Sequence, residues 1–157
     1  MNAQFLRFPT VEGNNLNRRH FRLPADLDGA WRLVVVAFEQ WQQRLVDSWL
    51  PQLKQLAAEH GNTAVYEVPV LGRKWLLGRA LIDGGMRAGI ADSAVRDGTI
   101  TVYTDVGAFA RRAGISDTKT ISVLLLNTAG EIVWRTSGGY AALAFGELEA
   151  RLAAGRQ

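Results

Sequence analysis

Six consecutive residues, Glu39, Gln40, Trp41, Gln42, Gln43 and Arg44, hold the side chains best suited to recognising a ligand. Glutamine amides donate and accept hydrogen bonds without charge, and an indole adds amphipathic contact area. The same residues have a plainer reading, as a solvated helix start whose tryptophan belongs to the core. Acid–base chemistry here would rest on Glu39 or Asp47 with Arg44. A neighbouring arginine lowers a carboxyl pKa, which suits an ion pair better than a general acid. Glu39 also favours a helix N-terminus electrostatically. The stretch therefore reads as a binding turn before it reads as a catalytic one.

Composition closes other chemistries. The 157 residues contain no cysteine, which removes disulfides, thiolate catalysis and cysteine-ligated metal. His20 and His60 stand forty residues apart with no ligand spacing around either, so no metal or cofactor is expected. Fifteen arginines against three lysines would suit phosphates, nucleic acid or acidic lipid. A net charge of +3 is modest, however, and a compositional habit accounts for it. Aromatic residues interleaved along a basic strand, as in RNA-binding sheets, are absent, and no nucleic-acid partner is expected. The local cluster Arg18, Arg19, His20 and Arg22 reads as the charged protection of an edge strand. No apolar run approaches the roughly 18 residues needed to span a bilayer. The segment MNAQFLRFPT lacks the charged and apolar regions of a secretory signal, so the expected address is cytoplasmic.

These side chains need elements to hold them. Arg32 to Phe38, with Val34, Val35 and Val36 in a row, predicts a strand buried on both faces. Trp41, Leu45, Trp49, Leu53, Leu56 and His60 then recur at steps of four, four, four, three and four. That is one stripe of a helix, ending at Gly61 as a left-handed residue. Pro51 interrupts the helix and should kink it. A buried strand feeding an amphipathic helix opens a βαβ unit, and the turn Glu39 to Gln43 lies at the carboxyl end of its strand, where open α/β sheets place their sites.

The rest of the chain reads as one domain over residues 1–157. Residues 1–31 form an N-terminal extension with one short strand, His20 to Leu23, ended by Pro24, and Asn14-Asn15 reads as a turn. A strand is expected over Thr63 to Leu71, shortened or made irregular by Pro69. A helix at Trp75 to Ile90 follows within an insertion at 72–98. Its glycine-rich Gly84 to Gly89 lacks the order of a phosphate-binding loop. Next come a strand Thr99 to Thr104, and a helix Val106 to Ala113 capped by Asp105 and closed by Gly114. A strand Ile121 to Leu126, its hairpin partner Glu131 to Thr136, and a helix Tyr140 to Ala153 complete the order.

This order resembles the thioredoxin fold, an α/β architecture with a central mixed β-sheet and helices on both faces. The N-terminal additions and the 72–98 insertion resemble its peroxiredoxin branch. LVVVAF is similar to the strand before the redox loop, VLLLNTAGEIVWRTSGGY to the terminal hairpin, and Pro51 to the proline of the redox helix. The resemblance implies that a Cys-x-x-Cys pair would fall on Gln43 and Val46, and that the facing cis-proline would fall near Ser122. Neither sulfur nor that proline is present, so the chain itself cannot carry out thiol–disulfide exchange or thiolate-based peroxide reduction. QWQQRLVDSWLP, the helix at Trp75 to Leu81 and SVLLLNTAGEIVWRTSGG are also similar to the mitochondrial ATP synthase assembly-factor family, a peroxiredoxin-like group without the redox pair. That likeness implies binding to a membrane subunit during assembly, without redox chemistry.

The resemblance further implies a site where the turn Glu39 to Arg44 meets the loop Thr118 to Ser122, with Lys119 and Thr120 on the second wall. An extended segment of a protein or peptide partner would cross there by backbone pairing. The expected function is a redox-inactive binding or assembly module, without cofactor. Two alternatives stand beside it. The basic, apolar stretch Arg73 to Arg87 could rest on a membrane surface, peripheral to the inner membrane. Glu39 with Arg44 could serve a non-thiol enzyme.

Overall fold

The computed structural model describes residues 5–73 and 98–155; the helix expected at Trp75 to Ile90, with nearly all of the 72–98 insertion, lies outside the described residues. Among the described residues seven strands form one mixed sheet. They are β1 (Val11–Asn15), β2 (His20–Leu23), β3 (Trp31–Ala37), β4 (Thr63–Leu71), β5 (Ile100–Tyr103), β6 (Ser122–Leu126) and β7 (Ile132–Ser137), in the spatial order β2-β1-β5-β4-β3-β6-β7. Helices α1 (Gln43–Glu59) and α3 (Ala142–Ala154) cover one face of the sheet, and α2 (Val106–Ala113) covers the other.

The consecutive valines of β3 follow from that layering. Leu33 and Val35 pack toward α1 and α3, whereas Val34 and Val36 pack toward α2, and all four are fully buried. Full burial of such side chains stabilises by about 1.5–3 kcal/mol each. A one-residue slip would exchange the two faces, so the burial also sets the register. β3 runs parallel to β4 and antiparallel to β6, with Val34 directly opposite Leu124.

Several local expectations are corrected. β1 is a strand although Val11–Asn15 carries little strand signal. It is held between β2 and β5, and a Cβ at Gly13 would run into the Thr101 carbonyl of β5. Pro69 does not shorten β4: it takes the last β3 partner, Ala37, and β5 pairing begins at Val70. The left-handed residue after α1 is Asn62, at φ 63°, rather than Gly61; asparagine tolerates that region. Gly114 closes α2 in the left-handed conformation as expected, and Asp105 caps it by accepting from the Ala108 amide at 2.9 Å. No helix among the described residues is long and apolar enough to cross a membrane.

Part of each sheet edge is occupied by the chain's own groups. On β2 the Arg22 amide donates to Asp26 Oδ2 at 2.7 Å, and the Arg22 carbonyl accepts from the Asp26 amide at 2.8 Å. On β7 the Ile132 amide donates to the Leu6 carbonyl at 2.7 Å. The neighbouring Val133 carbonyl accepts from Arg151 Nε and Nη2 at 3.1 and 2.7 Å. Such closures keep an edge from pairing with another strand.

Candidate functional site

Strand directions build the site. β6 is antiparallel to β3, with Ser122 opposite Val36, so the loop ahead of β6 lies beside the turn that follows β3. β5 is parallel to β4 and β4 to β3, so the chain leaving β5 reaches the same end of the sheet. The three segments enclose an open cleft of about 490 Å³ lined by Phe38, Glu39, Trp41, Val106, Thr118 and Lys119.

Gln42 ties two of these walls together. Residues Gln40–Gln42 form a 3-10 turn ahead of α1. The Gln42 side chain is fully buried, and its Oε1 accepts from the Phe38 amide at 2.8 Å and the Glu39 amide at 3.3 Å. Its Nε2 donates to the Thr118 carbonyl at 2.9 Å. Sequence reasoning placed Gln42 among the partner contacts; with its amide engaged internally, it positions the site instead.

The tryptophan stripe is also divided. Trp41 is 50% exposed, and its Nε1 donates to Glu39 Oε2 at 3.0 Å. Trp49 is fully buried, donates to the Gly138 carbonyl at 2.9 Å and meets the Tyr140 ring edge-on at 5.2 Å. A 3-10 turn advances about 120° per residue instead of 100°, which rotates residue 41 away from the stripe that Trp49, Leu53 and Leu56 continue. His60 sits at the C-cap, with Nδ1 3.2 Å from the Leu56 carbonyl, in a structural role.

Of the expected contacts, Glu39, Trp41 and Lys119 come together on the cleft. Gln40, Gln43 and Arg44 are exposed beside it, and Gln43 Nε2 donates along the helix to Asp47 Oδ1 at 2.9 Å. Thr120 is half-buried next to Lys119. Glu39 is exposed and forms no ion pair with Arg44, so the closed, low-dielectric setting of a general acid is missing at this turn. Of the two positions that the resemblance assigned to a Cys-x-x-Cys pair, Gln43 is exposed at the start of α1 and Val46 is fully buried one turn further on.

Thr118, at the start of the loop expected to face the turn, lines the cleft; sequence reasoning missed Phe38 and Val106, which reach it only through tertiary packing. It also missed Glu67, a buried carboxyl on β4. Burial pushes the Glu67 pKa up; hydrogen bonds from Gln43 and Thr99 oppose this, Asp47 adds to it, and Lys54 opposes it. The signal for Glu67 was one charged residue inside the apolar strand TAVYEVPVL.

No protein-family model matches the chain, and neither does any curated protein sequence. Solved structures do match. BsSco, a member of the Sco family of cytochrome c oxidase assembly proteins, superposes with a TM-score of 0.64 at 13% identity, over 98% of this chain and 95% of that one. The exposed lipoprotein thioredoxin of Streptococcus pneumoniae gives 0.60 at 16% identity, over 91% of this chain and 99% of that one. A DsbE-type thiol:disulfide interchange protein of Chlorobium tepidum gives 0.60 at 16% identity, over 98% and 99%. With the strand order and the helices on both faces, these matches establish that the fold is thioredoxin-like, on a chain without cysteine.

Proposed function

We propose that this chain is a redox-inactive thioredoxin-like module that binds an extended segment of a protein partner, in the manner of an assembly factor or chaperone. One observation carries the reading. Asp26, Leu6 and Arg151 occupy parts of the two outer sheet edges, and at the cleft the Lys119 carbonyl and the Thr120 amide and carbonyl make no hydrogen bond among the described residues. Lys119 lines the cleft and Thr120 follows it in the chain, on the wall that faces the half-exposed indole. Extended segments bind at such places, with main-chain bonds supplying affinity and pockets supplying selectivity. The finer likeness to peroxiredoxin-like assembly factors without a redox pair is part of this proposal, as is a cytoplasmic location that becomes membrane-peripheral when the partner is a membrane subunit.

Affinity capture from native extract tests the reading, with wild type, Trp41→Ala and, as a control at the far end of α1, Gln55→Ala. A partner held by wild type and Gln55→Ala but lost by folded Trp41→Ala is expected. Equal retention by all three refutes the cleft as the binding surface.

A further inference from the structure

Building on that reading, we infer that the cleft selects extended segments carrying a basic side chain, seated between the Glu39 carboxylate and the Trp41 ring. The 3.0 Å bond from the indole Nε1 to Glu39 Oε2 holds ring and carboxylate as one unit on the cleft wall. The carboxylate also accepts from the Gln42 amide in a capping box at the start of the 3-10 turn; with about four acceptor sites on a carboxylate, these two bonds leave acceptor capacity, and the face of the half-exposed ring, to a ligand. A guanidinium or ammonium placed there gains both a charge-assisted hydrogen bond and the attraction of an indole face, the strongest of the aromatic cation seats.

Charge favours this occupant over a neutral one. Among the described residues the one ion pair within 4.0 Å is His20 with Glu12, so the Glu39 charge is not neutralised within them. Lys119 lines the same cleft without pairing to Glu39, which leaves the cleft with a separated positive and negative wall. The chain as a whole carries +3, and its general field repels cations. A preference for a basic segment therefore has to arise locally, at Glu39 and Trp41. Phe38 and Val106 add apolar lining for the methylene stem of the basic side chain and for the apolar side chain two residues along an extended segment.

Fluorescence anisotropy with two labelled, end-blocked hexapeptides tests the inference. One has the sequence Val-Thr-Arg-Thr-Val-Ser, and the other replaces arginine by its neutral isostere citrulline. Wild type is expected to bind the arginine peptide about tenfold more tightly, with the difference shrinking at high salt. Glu39→Gln, whose side-chain oxygen still accepts the indole N–H, is expected to bind both peptides alike. Lys119→Gln is expected to bind the arginine peptide a few-fold more tightly than wild type, because a like charge is gone. Equal binding of the two peptides by wild type, or a preference that survives Glu39→Gln, overturns the cation seat while leaving peptide binding standing. Absence of binding by either peptide overturns both readings.

Discussion

Gln42 and Thr118, 76 residues apart in the chain, are joined by a 2.9 Å hydrogen bond from the buried Gln42 amide to the Thr118 carbonyl. The same side chain accepts from the Phe38 and Glu39 amides, so one residue fixes the turn after β3 and the loop before β6 as a unit.

Gln42→Leu keeps roughly the same volume but leaves the Phe38 N–H and the Thr118 carbonyl without their partner. A buried polar group left unsatisfied costs about 1–3 kcal/mol, so a loss of about 2–4 kcal/mol in urea unfolding is expected. A variant as stable as wild type would show that water replaces the amide and that the two walls are not tied by it.

The two tryptophans should separate cleanly. Trp49→Ala removes a fully buried ring, its bond to Gly138 and its contact with Tyr140, and should cost about 3–5 kcal/mol. Trp41→Ala, at a half-exposed position, should stay within about 0.5 kcal/mol of wild type and lose partner binding instead. Denaturation of the two variants side by side checks this; destabilisation of similar size in both contradicts the divided stripe.

Glu67 predicts a pH dependence of stability. Burial raises its native pKa above the ordinary glutamate range, so the folded state keeps this proton where the unfolded chain has released it. Unfolding then releases a proton in that window, and stability falls as pH rises from the ordinary value through the raised one. Glu67→Gln removes the charge and keeps the shape. It should match wild type at about pH 4, where both states are largely protonated, and exceed it at neutral pH. An offset independent of pH in urea midpoints would point to packing instead of ionisation.

Arg135, on the α2 face of β7, closes the end of α2. Its guanidinium donates to the Gly114 carbonyl at 2.9 Å and the Ala113 carbonyl at 2.8 Å, and partial burial lowers its pKa. Arg135→Ala should cost about 1–2 kcal/mol, discounted for exposure. Arg135→Lys should recover only part of that, since an ammonium cannot fork to both oxygens. Gly114→Ala should be destabilising as well, because φ is 72°, a conformation that a Cβ strains. Thermal midpoints of the three variants provide the measure, and an unchanged midpoint in Arg135→Ala would mean that solvent caps the helix equally well.

The sequence by itself determined the central strands, because Val34 to Val36 and Val123 to Leu126 are too apolar to lie anywhere but between two helical layers. It determined the caps of α2, where Asp105 and Gly114 act through local backbone chemistry, and the absence of sulfur chemistry in this chain. Tertiary structure alone decided the rest. β1 exists because two neighbours pair with it, and its own residues do not signal it. Trp41 left the buried stripe through a change of helical pitch over three residues. The cleft gathers Phe38, Val106 and Lys119 from three distant segments. Periodicity reports which face of an element is apolar, but not which loops the strand directions bring to the same end of a sheet.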